Sequence, residues 1–211
     1  YRVRDECRGN LAVYTIRAFS LIPTIIRPKI LDMGCGTGVP ALALLGACDG
    51  TICAVDPDGP ALEWLSEKAE ALGLLDRITI LHGTLFETTP PSGPFDIVLA
   101  EGLLNAVDFE KGFDALAGHC RENGYLIIHD EWKDDPGKRA FFGGRGMRIL
   151  GSFPLDETIW GREYVAPLEE KTGRMKDKAL FEVELREIEM YRLDPRSFRS
   201  IYYVIKKGSG A

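Results

Sequence analysis

Residues Ile30-Leu31-Asp32-Met33-Gly34-Cys35-Gly36-Thr37-Gly38 decide how this chain is read. An apolar run ends in an acid, three glycines alternate with small residues, and a helical pattern follows through Ala41, Leu42, Leu44 and Leu45. That is a strand turning into a helix through a loop whose glycines permit a tight turn and let a ligand approach the main chain. The spacing G-x-G-x-G is one residue shorter than the G-x-G-x-x-G of dinucleotide loops, in which a diphosphate rests on the helix N-terminus. Asp32, two residues before the first glycine, is a poor neighbour for a diphosphate and a good one for a cation.

Outward from this loop, short apolar runs alternate with helical patterns, as in a series of βαβ units. Strands are expected at Lys29–Met33, Thr51–Val55, Arg77–Leu81, Phe95–Ala100 and Gly124–His129, with helices from Pro60 to Leu72 and from Phe109 to Cys120. The strands lack polar alternation, as expected when helices cover both faces of a parallel sheet. Asn10 stands where it could cap a helix over 10–22 that Pro23 stops. Beyond Met147 the pattern gives a strand to Phe153, a charged helical region from about Arg162 to Arg192, and a last strand from Ser200 to Lys206. That last strand fits an antiparallel place at or beside an edge. The stretch from Glu131 to Gly146 holds Pro136 and four glycines, which leaves barely two helical turns. A parallel crossover needs about a dozen residues, so this stretch is expected to be irregular or incomplete.

The chain has 211 residues, of which 45% are apolar and 27% charged, enough for the core of one domain over 1–211. A net charge of −6 does not suit a grip on phosphates, so nucleic acid is not expected as a partner, nor is an anionic membrane surface. No apolar run approaches the roughly 20 residues that span a bilayer. The first residue is Tyr1, so a preceding segment lies outside this reading. Five cysteines without a C-x-x-C pattern read as reduced, buried thiols of a cytoplasmic protein, with neither a disulfide framework nor a metal site.

The second strand ends in Ala54-Val55-Asp56-Pro57, with Asp56 20 residues after Gly36. A carboxylate there can accept both hydroxyls of a ribose. The competing reading, a strand-end acid that caps the next helix, stays open. Asp32 to Gly38, Asp56, Phe95-Asp96-Ile97-Val98 and Gly124-Tyr125-Leu126-Ile127-Ile128 together resemble the class I S-adenosylmethionine-dependent methyltransferases. Trp160, Tyr164 and Pro167-Leu168-Glu169 look like a small-molecule-type branch of bacteria and archaea. The resemblance implies a Rossmann-like, doubly wound α/β sheet of order 3-2-1-4-5-7-6 with strand 7 antiparallel. It also implies S-adenosyl-L-methionine as cofactor, whose sulfonium and ammonium suit Asp32. Asp32, Gly34, Cys35 and Gly36 would line the methionine end, Asp56 and Pro57 the ribose, and Thr84 and Leu85 the adenine. Many relatives carry an Asp at the adenine position, where this chain has Gly83-Thr84-Leu85. The N-terminal helix over 10–22 and the region 155–195 would cover the cofactor.

Methyl transfer displaces the sulfonium in line, so the protein chiefly positions the acceptor and removes its proton. Glu101 and Asp130, just beyond strands four and five, are the candidates for that catalytic work. Each has an alternative: Glu101 as partner of the cofactor ammonium, Asp130 as a solvated strand end. Ala100-Glu101-Gly102-Leu103 lacks the N/D-P-P-Y/F pattern of amide and nucleobase N-methyltransferases, which favours a small-molecule acceptor. A non-catalytic S-adenosylmethionine-binding module and an NAD(P)-dependent oxidoreductase are the alternatives.

Overall fold

Two helices, α1 (Arg2–Arg8) and α2 (Ala12–Ser20), precede the first strand, β1 (Lys29–Met33). There follow α3 (Val39–Ala47), β2 (Thr51–Asp56), α4 (Gly59–Ala71), β3 (Ile78–His82) and β4 (Phe95–Glu101). The second half holds α5 (Phe109–His119), β5 (Cys120–Glu131), α6 (Asp135–Gly144) and β6 (Arg148–Leu155). A helical segment of α7 (Glu157–Trp160), α8 (Ala166–Gly173) and α9 (Glu182–Leu193) then leads into β7 (Ser200–Lys206). The computed structural model describes residues 1–175 and 177–209.

The strands form one seven-stranded sheet of order β3-β2-β1-β4-β5-β7-β6, with β7 antiparallel to both neighbours. This is the order and direction expected from the resemblance. The sheet is apolar on both faces because successive residues of each strand serve opposite layers. Ile30, Ile52, Ile97, Leu99 and Ile127 pack with α2, α3 and α4, whereas Leu31, Val55, Val98, Leu126 and Ile128 pack with α5 and α6. Each such side chain taken from water contributes about 1.5–3 kcal/mol. The chain winds outward from β1 in one direction and from β4 in the other. The crevice at the carboxyl ends of these two strands is therefore where a ligand enters such a sheet.

Four expectations are corrected. Residues 131–146 are neither irregular nor incomplete: α6 is an uninterrupted helix of 10 residues. Asp134 caps it by accepting from Gly137 N at 3.3 Å, and Pro136 sits in the first turn, where no N–H is needed. Gly143 and Gly144 fall in the last turn, where their entropic cost is least felt, and the wholly buried Phe142 anchors the helix on Phe113 and Tyr203. Second, Asn10 caps no helix. A tight turn at Gly9–Leu11 joins α1 to α2, and Asn10 Nδ2 donates to the carbonyl of Glu163 at 2.9 Å. Third, the charged region is not continuous. A π-helical turn (Gly161–Val165) separates α7 from α8, and a 3-10 turn (Lys178–Phe181) precedes α9. Fourth, β5 begins at Cys120 rather than Gly124.

The flanks meet. Cys7 from α1 packs with Tyr164, Val165, Leu168 and Ile188 in a small apolar cluster of its own. Lys171 Nζ bonds Glu6 at 2.5 Å and Arg4 Nε lies 3.2 Å from Glu184, tying α1 to α8 and α9.

Candidate functional site

The glycine loop leaves the middle of the sheet and turns over the end of β2. Gly34 N and Cys35 N both donate to Val55 O, at 2.8 and 3.1 Å. Gly36 takes a φ of +51°, a conformation costly to residues with a Cβ, and nothing lies within 4 Å of where a Cβ would stand. Its N–H donates to Asp56 Oδ2 at 2.7 Å, while Asp58 N donates to Asp56 Oδ1 at 2.8 Å. Asp56 therefore ties the loop to its own strand. The helix cap is Asp58, which accepts from Ala61 N at 3.2 Å. At Gly38 (φ +75°) a Cβ would fall inside the side chain of Leu65, so the last glycine is required by packing as well as by conformation.

Asp32 ends β1 beside this loop. It is 1% exposed, and its Oδ2 has no hydrogen-bond partner among the described residues. Burial, and then the carboxyls of Glu101 and Asp56, push its pKa well above the usual carboxylate range. A buried carboxylate oxygen without a donor is costly, and a cationic ligand removes that cost. Cys35 is buried in the loop with its thiol pushed upward by burial, which makes it a wall and not a nucleophile. Pro57 is exposed at the rim, and Leu85 is buried at 6% exposure beyond β3. The Thr84 hydroxyl donates to Glu87 at 3.1 Å.

Glu101 ends β4 on the same face as Asp32. Burial raises its pKa to about 7, against the pull of the Thr15 and Tyr202 hydroxyls and of Arg8. Thr15 Oγ1 donates to Glu101 Oε1 at 2.7 Å. His129 from β5 has Nδ1 3.9 Å from Glu101 Oε2 and Nε2 2.8 Å from Ser200 Oγ, to which Trp160 Nε1 donates at 3.0 Å. The imidazole is stacked on Tyr202 with ring centroids 4.0 Å apart, and burial lowers its pKa to about 3, so it is neutral. Asp130, one residue further, faces the other layer. Its Oδ2 accepts from Lys138 Nζ of α6 at 2.6 Å. The ends of β1 to β4 thus gather Asp32, Gly34, Cys35, Gly36, Asp56, Pro57, Thr84, Leu85 and Glu101 along one edge, while Asp130 is parted from Glu101 by the sheet.

Sequence reading missed the partners that arrive from far away. Thr15, Ser200 and Tyr202 reach Glu101 and His129 from α2 and β7. Asp5 of α1 accepts from Thr37 Oγ1 at 2.6 Å, Trp64 Nε1 at 2.8 Å and Lys68 Nζ at 2.5 Å, closing α1 over the glycine loop. Tyr1 OH donates to Asp58 in the same contact. No local pattern marks Asp5, since its partners lie 32 to 63 residues away.

The family described as "Methyltransferase domain" matches residues 30–124. An uncharacterized protein of Synechococcus sp. is 35% identical over 109 residues, which are 50% of this chain and 26% of that protein. The chain thus spans about a quarter of the length of this relative. Among solved structures, the [4+2]-cyclase SpnF superposes with a TM-score of 0.77 at 15% identity, over 94% of this chain and 82% of that one. A SAM-dependent methyltransferase from Thiobacillus denitrificans in complex with S-adenosyl-L-homocysteine gives 0.71 at 16% identity, over 95% and 91% of the two chains. At these identities the superpositions speak for the fold.

Proposed function

We propose that this chain, a member of the class I S-adenosylmethionine-dependent methyltransferases, moves the methyl group of S-adenosylmethionine to a small-molecule acceptor. The observation that carries the reading is Asp32, a buried carboxylate with an oxygen lacking a donor at the mouth of a glycine loop. The residues present fit the cofactor. Asp32 would hold the ammonium, the open space over Gly36 leaves room for the methionine end, and Asp56 and Pro57 would meet the ribose. With the Thr84 hydroxyl engaged by Glu87, the Leu85 region would meet the adenine mainly through its main chain and apolar surface. When bound, the cofactor supplies an electrophilic methyl group, so no further activation of that carbon is required.

Glu101 is the group on this face placed to take a proton. A carboxyl with a pKa of about 7 is half-ionised at neutral pH, which suits it to accept a proton at Oε2 and return it to solvent. Thr15 fixes Oε1, leaving Oε2 toward His129. Such tuning favours a catalytic site over a module that only binds the cofactor. Arg8 and Trp160, brought in by the flanking helices, would keep water from the acceptor. A net charge of −6 supports a small-molecule acceptor over nucleic acid. No described helix is long and apolar enough to cross a membrane. Free cysteines, all but Cys48 buried, support a cytoplasmic setting.

Thermal melting with each ligand tests the reading. S-adenosylmethionine or S-adenosylhomocysteine should raise Tm by mass action, and NADH should not. A rise with NADH alone would overturn the assignment.

A further inference from the structure

On the opposite face of the sheet from Glu101, the turn after β4, the start of α5, the end of β5 and α6 line an open cavity of about 470 Å³. Leu104, Phe109 and Phe141 give it apolar walls, and Asn105, Asp130 and Lys138 give it polar ones. Asp130 is 4% exposed, and its Oδ1 has no hydrogen-bond partner among the described residues. Its other oxygen is held by an ammonium: Lys138 Nζ donates to Asp130 Oδ2 at 2.6 Å and to the Glu131 carbonyl at 2.6 Å. The same Nζ stands 5.4 Å from the centre of the Phe109 ring. Lys138 thus shows, within the molecule, what the wall accepts: an alkylammonium between a carboxylate, a carbonyl and an aromatic face. One carboxylate oxygen is left over. The charged residues of the lining are Glu110, Asp130, Glu131 and Asp134 against Lys133 and Lys138, a surplus of two negative charges.

We propose that this cavity binds a small organic amine in its ammonium form, its N–H groups directed to Asp130 Oδ1 and its apolar body lying between Phe109 and Phe141. The site lies across the sheet from Glu101, so its occupant is distinct from the acceptor assigned to the Glu101 face, and its binding does not rest on the methyltransferase reading.

The probes are phenethylammonium and its neutral isostere 2-phenylethanol, titrated into the full chain saturated with S-adenosylhomocysteine. Amide NMR shifts of Gly137 and Lys138 give the readout. Phenethylammonium should move these amides and bind roughly tenfold more tightly than the alcohol, since a charge-assisted bond and a cation–π contact separate the two. Asp130→Asn should remove that preference while leaving S-adenosylhomocysteine affinity intact. If that variant fails to fold, Phe141→Ala should weaken the amine by at least several-fold with cofactor affinity unchanged. Equal binding of the two probes, shifts confined to other residues, or a preference that survives Asp130→Asn would overturn the site. Loss of cofactor binding by the unmodified chain would instead overturn the methyltransferase reading.

Discussion

Two strand-end carboxyls, on either side of β1 in the sheet, make different demands on the protein. Asp56 spends both oxygens on backbone amides, so a side chain proposed to meet the ribose already serves as scaffold. Asp56→Ala should weaken S-adenosylhomocysteine binding by about 2–3 kcal/mol, roughly 30- to 150-fold. It should also cost about 1–3 kcal/mol of stability, because two amides lose their acceptor. A titration and a urea melt on the same variant check this; reduced stability with intact affinity would leave Asp56 as scaffold alone. Glu101 is strained electrostatically instead. Its pKa rises from 4.5 to about 7 on folding, so between those values the folded state binds more protons than the unfolded one. Stability from this group is therefore whole below about pH 4.5 and lost as pH rises through about 7, by up to about 3 kcal/mol. Glu101→Gln should leave stability unchanged near pH 4.5 and raise it near pH 8.5. The same stability change at both pH values would refute the shifted titration.

At the scale of elements, α6 shows how a glycine can be required for opposite reasons to its neighbours. A Cβ at Gly137 would clash with the Asp134 carboxylate that caps the helix, whereas one at Gly143 would meet nothing within 4 Å. Helix propensity alone favours alanine at both sites by about 0.5–1 kcal/mol. Gly143→Ala should gain that amount, and Gly137→Ala should lose about 1–2 kcal/mol through the broken cap. Chemical melts of the two variants give the signs, and a gain at both positions would contradict the cap geometry. The glycines near Gly146 are visible in the sequence. Their placement at helix ends, and the Phe142 anchor that outweighs them, are not.

For the molecule as a whole, α1 is a latch between the glycine loop and the helices before β7. Asp5, 10% exposed at its side chain, gathers donors from three positions, and Glu6 and Arg4 bind α8 and α9 on the other side. Asp5→Ala should release the Trp64 indole and shift its emission to the red. It should also speed hydrogen exchange in α1, hasten S-adenosylhomocysteine release, and leave the exchange of β1 and β4 unchanged. Slowed exchange limited to α1 in the variant, or unaltered Trp64 emission, would count against the latch. The sequence by itself determined the parallel core, the glycine loop and the strand-end positions of Asp32, Asp56 and Glu101, because strand periodicity, turn chemistry and strand-end acids are local properties of consecutive residues. It placed Glu101 and Asp130 together as candidates, since each follows a strand. Only the tertiary structure parted them to opposite faces, gave Asp130 to Lys138, set His129 against Tyr202 and Ser200, and drew Asp5 across the loop. Those relations join residues brought together by packing from distant segments, and pairings across such distances are fixed by burial and not by sequence spacing.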